Sequence, residues 1–320
     1  MKLLKMSLTG KRLSLLASLF ITLFILVSCA PRTAKPLATP QINFTSILVE
    51  ANWLTQPLSA KELVIIDVRP QNDYKLGHIP GAVNLSLSQI TDAKNPVRGM
   101  LVPQEQFETI MRGAGVNQDS TVVIYDEGNS PNPARLFWAL HYSGFERAAI
   151  IDGGYAQWRK QNLPVDTKAP SQSAGNFAAK ANPARIADKT YVQQSLGKTG
   201  IIILDVRSPD EYQGNIKSSQ RVGHIPGAIN LDWVNNLAMV EGVAKMKPAI
   251  ELKQLYEKLG VTPDKEIIVH CQTGVRASQT YFTLKYLGYG QVRVYDGSWE
   301  EWGNDPTLPL EVGKGSATAK

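Results

Sequence analysis

Residues 267–278 read IIVHCQTGVRAS: an apolar run, then Cys271, then a short loop leading into a segment where Ala277, Tyr281 and Leu284 recur at helical spacing. A cysteine between a strand end and a helix start faces backbone N–H groups that the helix leaves unpaired, and the positive end of its dipole. Such a site favours thiolate, the nucleophilic form of the side chain. Arg276 adds a fixed guanidinium with five donors, suited to an anionic oxygen group on a substrate.

The chain contains only two cysteines. The other, Cys29, closes a segment with the three-part pattern of an export signal: Lys2, Lys5, Lys11 and Arg12, then the uncharged apolar stretch 13–27, then Leu26-Val27-Ser28-Cys29. That stretch is shorter than the ~20 residues needed to span a membrane. Its end resembles a bacterial lipobox, so residues 1–28 are expected to be removed and Cys29 to be lipidated. Residues 29–43, in which Cys29 is followed by APRTAKPLATP, then form a tether. The expected location is outside the cytoplasm, lipid-anchored to a bacterial membrane, periplasmic or on the outer cell surface; in a Gram-negative cell Ala30 would not favour retention in the inner membrane. Cys271 is then the remaining thiol. An unpaired cysteine in an exported protein marks either a reactive thiol or an inert buried side chain.

The full chain has 34 basic and 28 acidic residues. Residues 1–28 carry four of the basic and none of the acidic groups, so the remainder is 30 against 28, about +2. That balance gives no reason to invoke a nucleic-acid partner. The four histidines and two cysteines lack ligand spacing, and neither metal nor cofactor is expected.

The chain also repeats itself. LVIIDVRPQNDYKLGHIPGAVNL from residue 63 returns from residue 201 as IIILDVRSPDEY, the extra stretch QGNIKSSQRV at 213–222, and GHIPGAINL. TVVIYDEG at 121 matches EIIVHCQTG at 266, and IIDGGYAQW at 150 matches VYDGSWEEW at 294. A period this long indicates a duplicated domain rather than a solenoid unit. The expected organisation is a first domain at 44–165, a linker at 166–182, a second domain at 183–310 and a tail at 311–320. Short apolar β-branched runs (63–66, 122–125, 201–204, 267–269) alternate with helix-like segments such as PQEQFETIMRGAG and AIELKQLYEKLG. Runs without polar alternation suit strands buried on both faces, so each half is read as α/β with a central parallel sheet. Sites in such folds lie at the carboxyl ends of the strands. There the copies differ: Asp126 stands opposite Cys271, so only the second half has a nucleophile.

DVRSPDEY, GHIPGAINLDW, HCQTGVR and YDGSWEEW resemble the rhodanese family of sulfurtransferases, in its tandem form with a silent first domain and an active second one. The resemblance covers nearly all of residues 60–305. It implies two five-stranded parallel sheets with helices on both faces. It also implies that Cys271 takes sulfane sulfur from a small sulfur-containing anion such as thiosulfate, becomes a persulfide, and passes the sulfur to cyanide or a thiol. Gln272, Thr273, Gly274, Val275 and Arg276 carry over as the loop whose N–H groups cradle that sulfur. The chain departs from the animal thiosulfate enzymes in having neutral Gln272 and Thr273 and in placing Glu211 where those enzymes have a substrate-binding arginine. This keeps open a sulfur carrier or sensor with little turnover. Mercaptopyruvate is a less favoured donor, because that subgroup has Gly-Ser-Gly-Val after its cysteine.

His270-Cys271 with a following arginine also resembles the cysteine phosphatase signature. Here four residues rather than five separate Cys271 from Arg276, too tight a loop for a tetrahedral phosphate. His78 and His224 occur in both halves, as do Asp67-Val68-Arg69 and Asp205-Val206-Arg207, so structural roles are expected for all of them. His270 is read as a strand end, Trp158, Trp299 and Trp302 as packing, and Trp233 as a residue that could line the pocket.

Overall fold

The computed structural model describes residues 46–56, 63–128 and 130–314; the expected signal, the tether and Cys29 lie outside them. In chain order the first half contributes β1 (Leu48–Val49), β2 (Leu63–Asp67), α1 (Gln71–Leu76), β3 (Val83–Asn84), α2 (Gln104–Gly113), β4 (Thr121–Tyr125), α3 (Asn132–Tyr142), β5 (Ala148–Ile151) and α4 (Gly154–Lys160). The second contributes β6 (Ile186–Ala187), α5 (Lys189–Ser195), β7 (Ile201–Asp205), α6 (Pro209–Gln213), β8 (Ile229–Asn230), a hairpin of β9 (Leu237–Val240) and β10 (Val243–Met246), α7 (Ala249–Glu257), β11 (Glu266–His270), α8 (Val275–Tyr286), β12 (Val292–Tyr295) and α9 (Ser298–Trp302).

Each half builds one five-stranded sheet, ordered β1-β5-β4-β2-β3 and β6-β12-β11-β7-β8, with every pairing parallel. The central strands TVVIY and EIIVH are buried almost throughout, as expected for a sheet covered on both faces. The β4 and β11 strands end immediately before Asp126 and Cys271, so the repeat puts these two residues at equivalent sheet edges.

The halves meet through α3 and α8, the helices that follow those two edges. Phe137 of α3 packs edge-on against Phe282 of α8 with ring centroids 4.9 Å apart, and it faces Tyr281 at 6.5 Å. One face of each sheet joins this contact in a core continuous across both halves, while the outer faces have separate cores around Trp158 and around Trp299 and Trp302. The three tryptophans read as packing are therefore core residues. Trp233 is half-buried against the shared core.

His141 lies within the α3–α8 contact, with Nδ1 3.2 Å from the Tyr281 hydroxyl. Burial, aided by Arg185 and Lys285, pushes its pKa down to about 3, while Glu146 lies 3.5 Å away on the exposed side. The folded protein keeps this ring neutral, whereas the unfolded chain protonates it near 6.5. The stabilising contribution is thus complete above about pH 6.5 and is lost as pH falls towards the folded value. His141→Gln should lessen the drop in unfolding free energy between pH 7 and 4 by about 2–3 kcal/mol. Denaturant titrations at the two pH values check this, and an unchanged drop would exclude His141 as a source of acid lability.

Candidate active site

Cys271 lies directly beyond β11 and is 1% exposed. Its N–H donates to Ser298 Oγ at 3.2 Å, and its carbonyl accepts from Trp299 N–H at 2.9 Å. The Gln272 carbonyl accepts from Glu300 N–H at 2.8 Å, so the start of α9 grips the start of the loop. Ser298 adopts a left-handed φ of +50°, a costly conformation for a non-glycine residue. The first copy has Gly154 at this position, also left-handed at +54°. Serine here supplies a hydroxyl that bridges Cys271 N–H to the Tyr295 carbonyl.

Gly274, with φ +80° and ψ −17°, turns the loop into α8 and leaves the helix without a side-chain cap. A Cβ at Gly274 would come within 2.8 Å of Asp296 Oδ1 and 2.9 Å of Arg135 Nη1, so both the turn and the space require glycine. Among the described residues, no acceptor engages the backbone N–H groups of Gln272, Thr273, Gly274, Val275, Arg276 or Ala277, and the first loop-to-helix bond is Ser278 N–H to the Gly274 carbonyl at 3.0 Å. The loop that follows Cys271 therefore holds six consecutive uncommitted donors.

The loop side chains are already engaged. Gln272 Nε2 lies 3.2 Å from the Ser218 carbonyl, 3.0 Å from Ser219 Oγ and 3.1 Å from Glu300 Oε2, and its Oε1 accepts from Ser218 Oγ at 2.7 Å. Both serines belong to the stretch 213–222 that only the second copy has. Thr273 packs against the first half: a Cβ on Gly99 would lie 2.6 Å from its Cβ. Val275 is half-buried.

Arg276 corrects the expectation drawn from sequence. Its guanidinium is not held out for an anionic donor, because Nη1 and Nη2 bond Glu211 Oε2 and Oε1 at 2.7 and 2.8 Å. Burial alone would raise the Glu211 carboxyl, but these bonds hold it below the usual range.

The first half also reaches the site. Arg98 forks onto Glu300 at 2.7 and 2.8 Å, and with Gln272 it holds that carboxyl below its ordinary pKa despite burial. Arg135 pairs with Asp296 at 2.6 Å, both side chains almost fully buried, and donates to the Gly99 carbonyl at 2.8 Å. Asp296 Oδ2 in turn accepts from Leu101 N–H at 3.0 Å. The segment 98–101 is thus fastened along the loop that carries Cys271. Sequence reasoning did not find Ser218, Ser219, Ser298, Glu300, Asp296, Arg98 or Arg135. Two signals were present: the glycine-to-serine change between copies, and the extra stretch confined to the active copy.

The paired Asp-Val-Arg segments are buried ion pairs. Arg69 and Arg207 bond Asp67 and Asp205 at 2.8 and 2.6 Å and brace the carbonyls of Gly77 and Gly223. His78 and His224 stack on Tyr74 and Tyr212 and bond those residues' carbonyls, in the structural role expected. His270 is fully buried 3.6 Å from Asp205; burial pushes it down to about 4 against the pull of that carboxylate, so it is neutral.

In the first half Asp126 turns its carboxylate onto its own loop, accepting Gly128 N–H at 2.7 Å, Ser130 N–H at 3.2 Å and the Ser130 hydroxyl. Burial nevertheless pushes its pKa up to about 6. A cavity of about 60 Å³ beside Asp126 is lined in part by Leu237, Met246 and Phe282 of the second half. The loop donors of the silent half are therefore taken up by a buried carboxylate.

The rhodanese-like domain model matches the chain twice, at 50–161 and 188–305. The chain is 34% identical to a thiosulfate sulfurtransferase of Azotobacter vinelandii over 266 residues, 83% of this chain and 97% of that one. It is also 34% identical to a sulfur carrier protein of Thermus thermophilus, over 84% of this chain and 97% of that one. The crystal structure of a 3-mercaptopyruvate sulfotransferase from Escherichia coli, 33% identical, superposes with a TM-score of 0.72 over 80% of this chain and 99% of its own. The chain belongs to the rhodanese family of sulfurtransferases, as a tandem of two rhodanese-like domains.

Proposed function

We propose that this protein transfers sulfane sulfur through a persulfide on Cys271, with thiosulfate as the leading donor. The observation that carries the reading is the position of Cys271 just before an uncapped helix start, in a loop where the N–H groups of residues 272–277 are uncommitted. The thiolate attacks the outer sulfur of thiosulfate, the S–S bond of the donor breaks, and sulfite leaves with the electron pair. The added sulfur carries the negative charge of the persulfide, and the free N–H donors and the α8 dipole stabilise it there. Cyanide or an acceptor thiolate then attacks that terminal sulfur and releases the Cys271 thiolate. The name of the Azotobacter relative supports thiosulfate; that of the Thermus relative supports a second reading, in which the persulfide is handed to a protein thiol.

The test is the intact mass of protein lacking residues 1–28, before and after thiosulfate and then after cyanide. A gain of one sulfur atom, lost again with cyanide, is expected. Protein with a free thiol that gains no sulfur from thiosulfate would remove it as donor, and mercaptopyruvate would be tried next.

Export and lipidation at Cys29 belong to the same proposal and rest on residues 1–29. Full-length protein made in a Gram-negative host should incorporate labelled palmitate and partition with membranes, whereas Cys29→Ala should do neither. Equal labelling of the two would exclude Cys29.

A further inference from the structure

We propose that Glu211 sets how strongly an anionic sulfur donor is held at Cys271. This rests on the persulfide reading above and concerns the same site. Arg276 stands on the first turn of α8, five residues after Cys271, with a quarter of its side chain exposed. A guanidinium there would ordinarily fork onto a donor's oxygens, but Glu211 already forks onto both of its terminal nitrogens.

Glu211 is held in place independently of that pair. It is the third residue of α6, and its Oε2 accepts from Ser208 N–H at 3.1 Å while Ser208 Oγ accepts from Glu211 N–H, a reciprocal capping box. The carboxylate cannot swing aside for a ligand without uncapping its own helix. Asp232, at the start of the short helical turn after β8, lies within electrostatic reach of both Arg276 and Glu211. The guanidinium that an entering anion would meet is thus already neutralised by the Glu211 carboxylate.

Glutamine at position 211 separates charge from shape. It still closes the capping box and still accepts a hydrogen bond from Arg276, but it leaves the guanidinium uncompensated. One unit charge a few ångströms from a bound anion at partial exposure corresponds to about a tenfold change in binding. Glu211→Gln should therefore lower the KM for thiosulfate about tenfold, with kcat moving far less. It should lower the KM for monoanionic mercaptopyruvate by a smaller factor than for the dianion. The gain should shrink as ionic strength rises.

The experiment is steady-state kinetics with both donors at low and high salt on wild type and Glu211→Gln, alongside thermal melts. An unchanged or raised KM in a variant that melts with wild type overturns the proposal. The unmodified protein provides a check independent of folding: added salt should leave its kcat/KM for thiosulfate level or raise it, and a steep fall would overturn the proposal. Wild type that takes sulfur from no donor would overturn the persulfide reading and this proposal together; wild type that loads normally while the variant shows no KM change would overturn only the role of Glu211.

Discussion

Cys271→Ser should abolish sulfur loading while leaving the fold intact. A serine hydroxyl at this position keeps the bonds its backbone makes to Ser298 and Trp299, and the change in side-chain volume is small. It cannot carry sulfane sulfur, however, and loss of a covalent nucleophile costs on the order of 10³-fold or more in turnover. The variant should show no gain of sulfur after thiosulfate and no thiocyanate formation above background, with a melting temperature close to wild type. Turnover near the wild-type rate would sink the mechanism. Loss of activity together with loss of the fold would contradict the structural part of the prediction, since among the described residues the side chain itself makes no hydrogen bond. Asp126→Cys is the informative companion: a side chain as buried as Asp126 should leave that thiol much slower to react in the folded protein.

Arg135→Met should have the largest effect on stability. Arg135 comes from the silent half, yet its partner Asp296 is two residues before Ser298, in the turn that grips Cys271. Removing the cation leaves a buried carboxylate facing an apolar side chain and withdraws the donor from the Gly99 carbonyl. Breaking a buried pair on one side costs about 3–5 kcal/mol, and a fall of about 10 °C in melting temperature is expected for a domain of this size. Adding Asp296→Asn should recover much of the loss, because a neutral amide still accepts from Leu101 N–H without a buried charge. The loading rate should fall in the single variant as segment 98–101 loosens against Thr273. Calorimetry and loading kinetics on the two variants decide the matter; a single variant that melts with wild type would show that the pair does not fasten the halves.

Much of this was legible in the chain. The repeat declared two similar α/β units, and the apolar runs marked the central strands β2, β4, β7 and β11. Cys271 announced itself by lying between a strand and a helix. The edge strands β1, β3, β6 and β8 are two residues each, too short for any periodicity to reveal. The hairpin β9–β10 turns at Glu241 and Gly242, both at positive φ, but LAMV before it lacks alternation and gave no strand signal. What could not be read was the pairing of distant charges. Arg276 appeared free because its partner Glu211 lies 65 positions away, and Arg98 reaches Glu300 across 202. Sequence shows which side chains could bind an anion; only the fold shows that the binding is internal.

The contact between α3 and α8 carries a further consequence. Counted back from Gly144 and Gly288, Phe137 and Tyr281 are the same position in the two copies, and they face each other. Equivalent residues also face each other beside the twofold axis of a symmetric dimer, so this contact resembles the centre of such an interface. Joining such subunits in one chain frees each from the need to be identical to its partner. One copy could then trade its thiol for a carboxylate and still supply the surface on which the other depends.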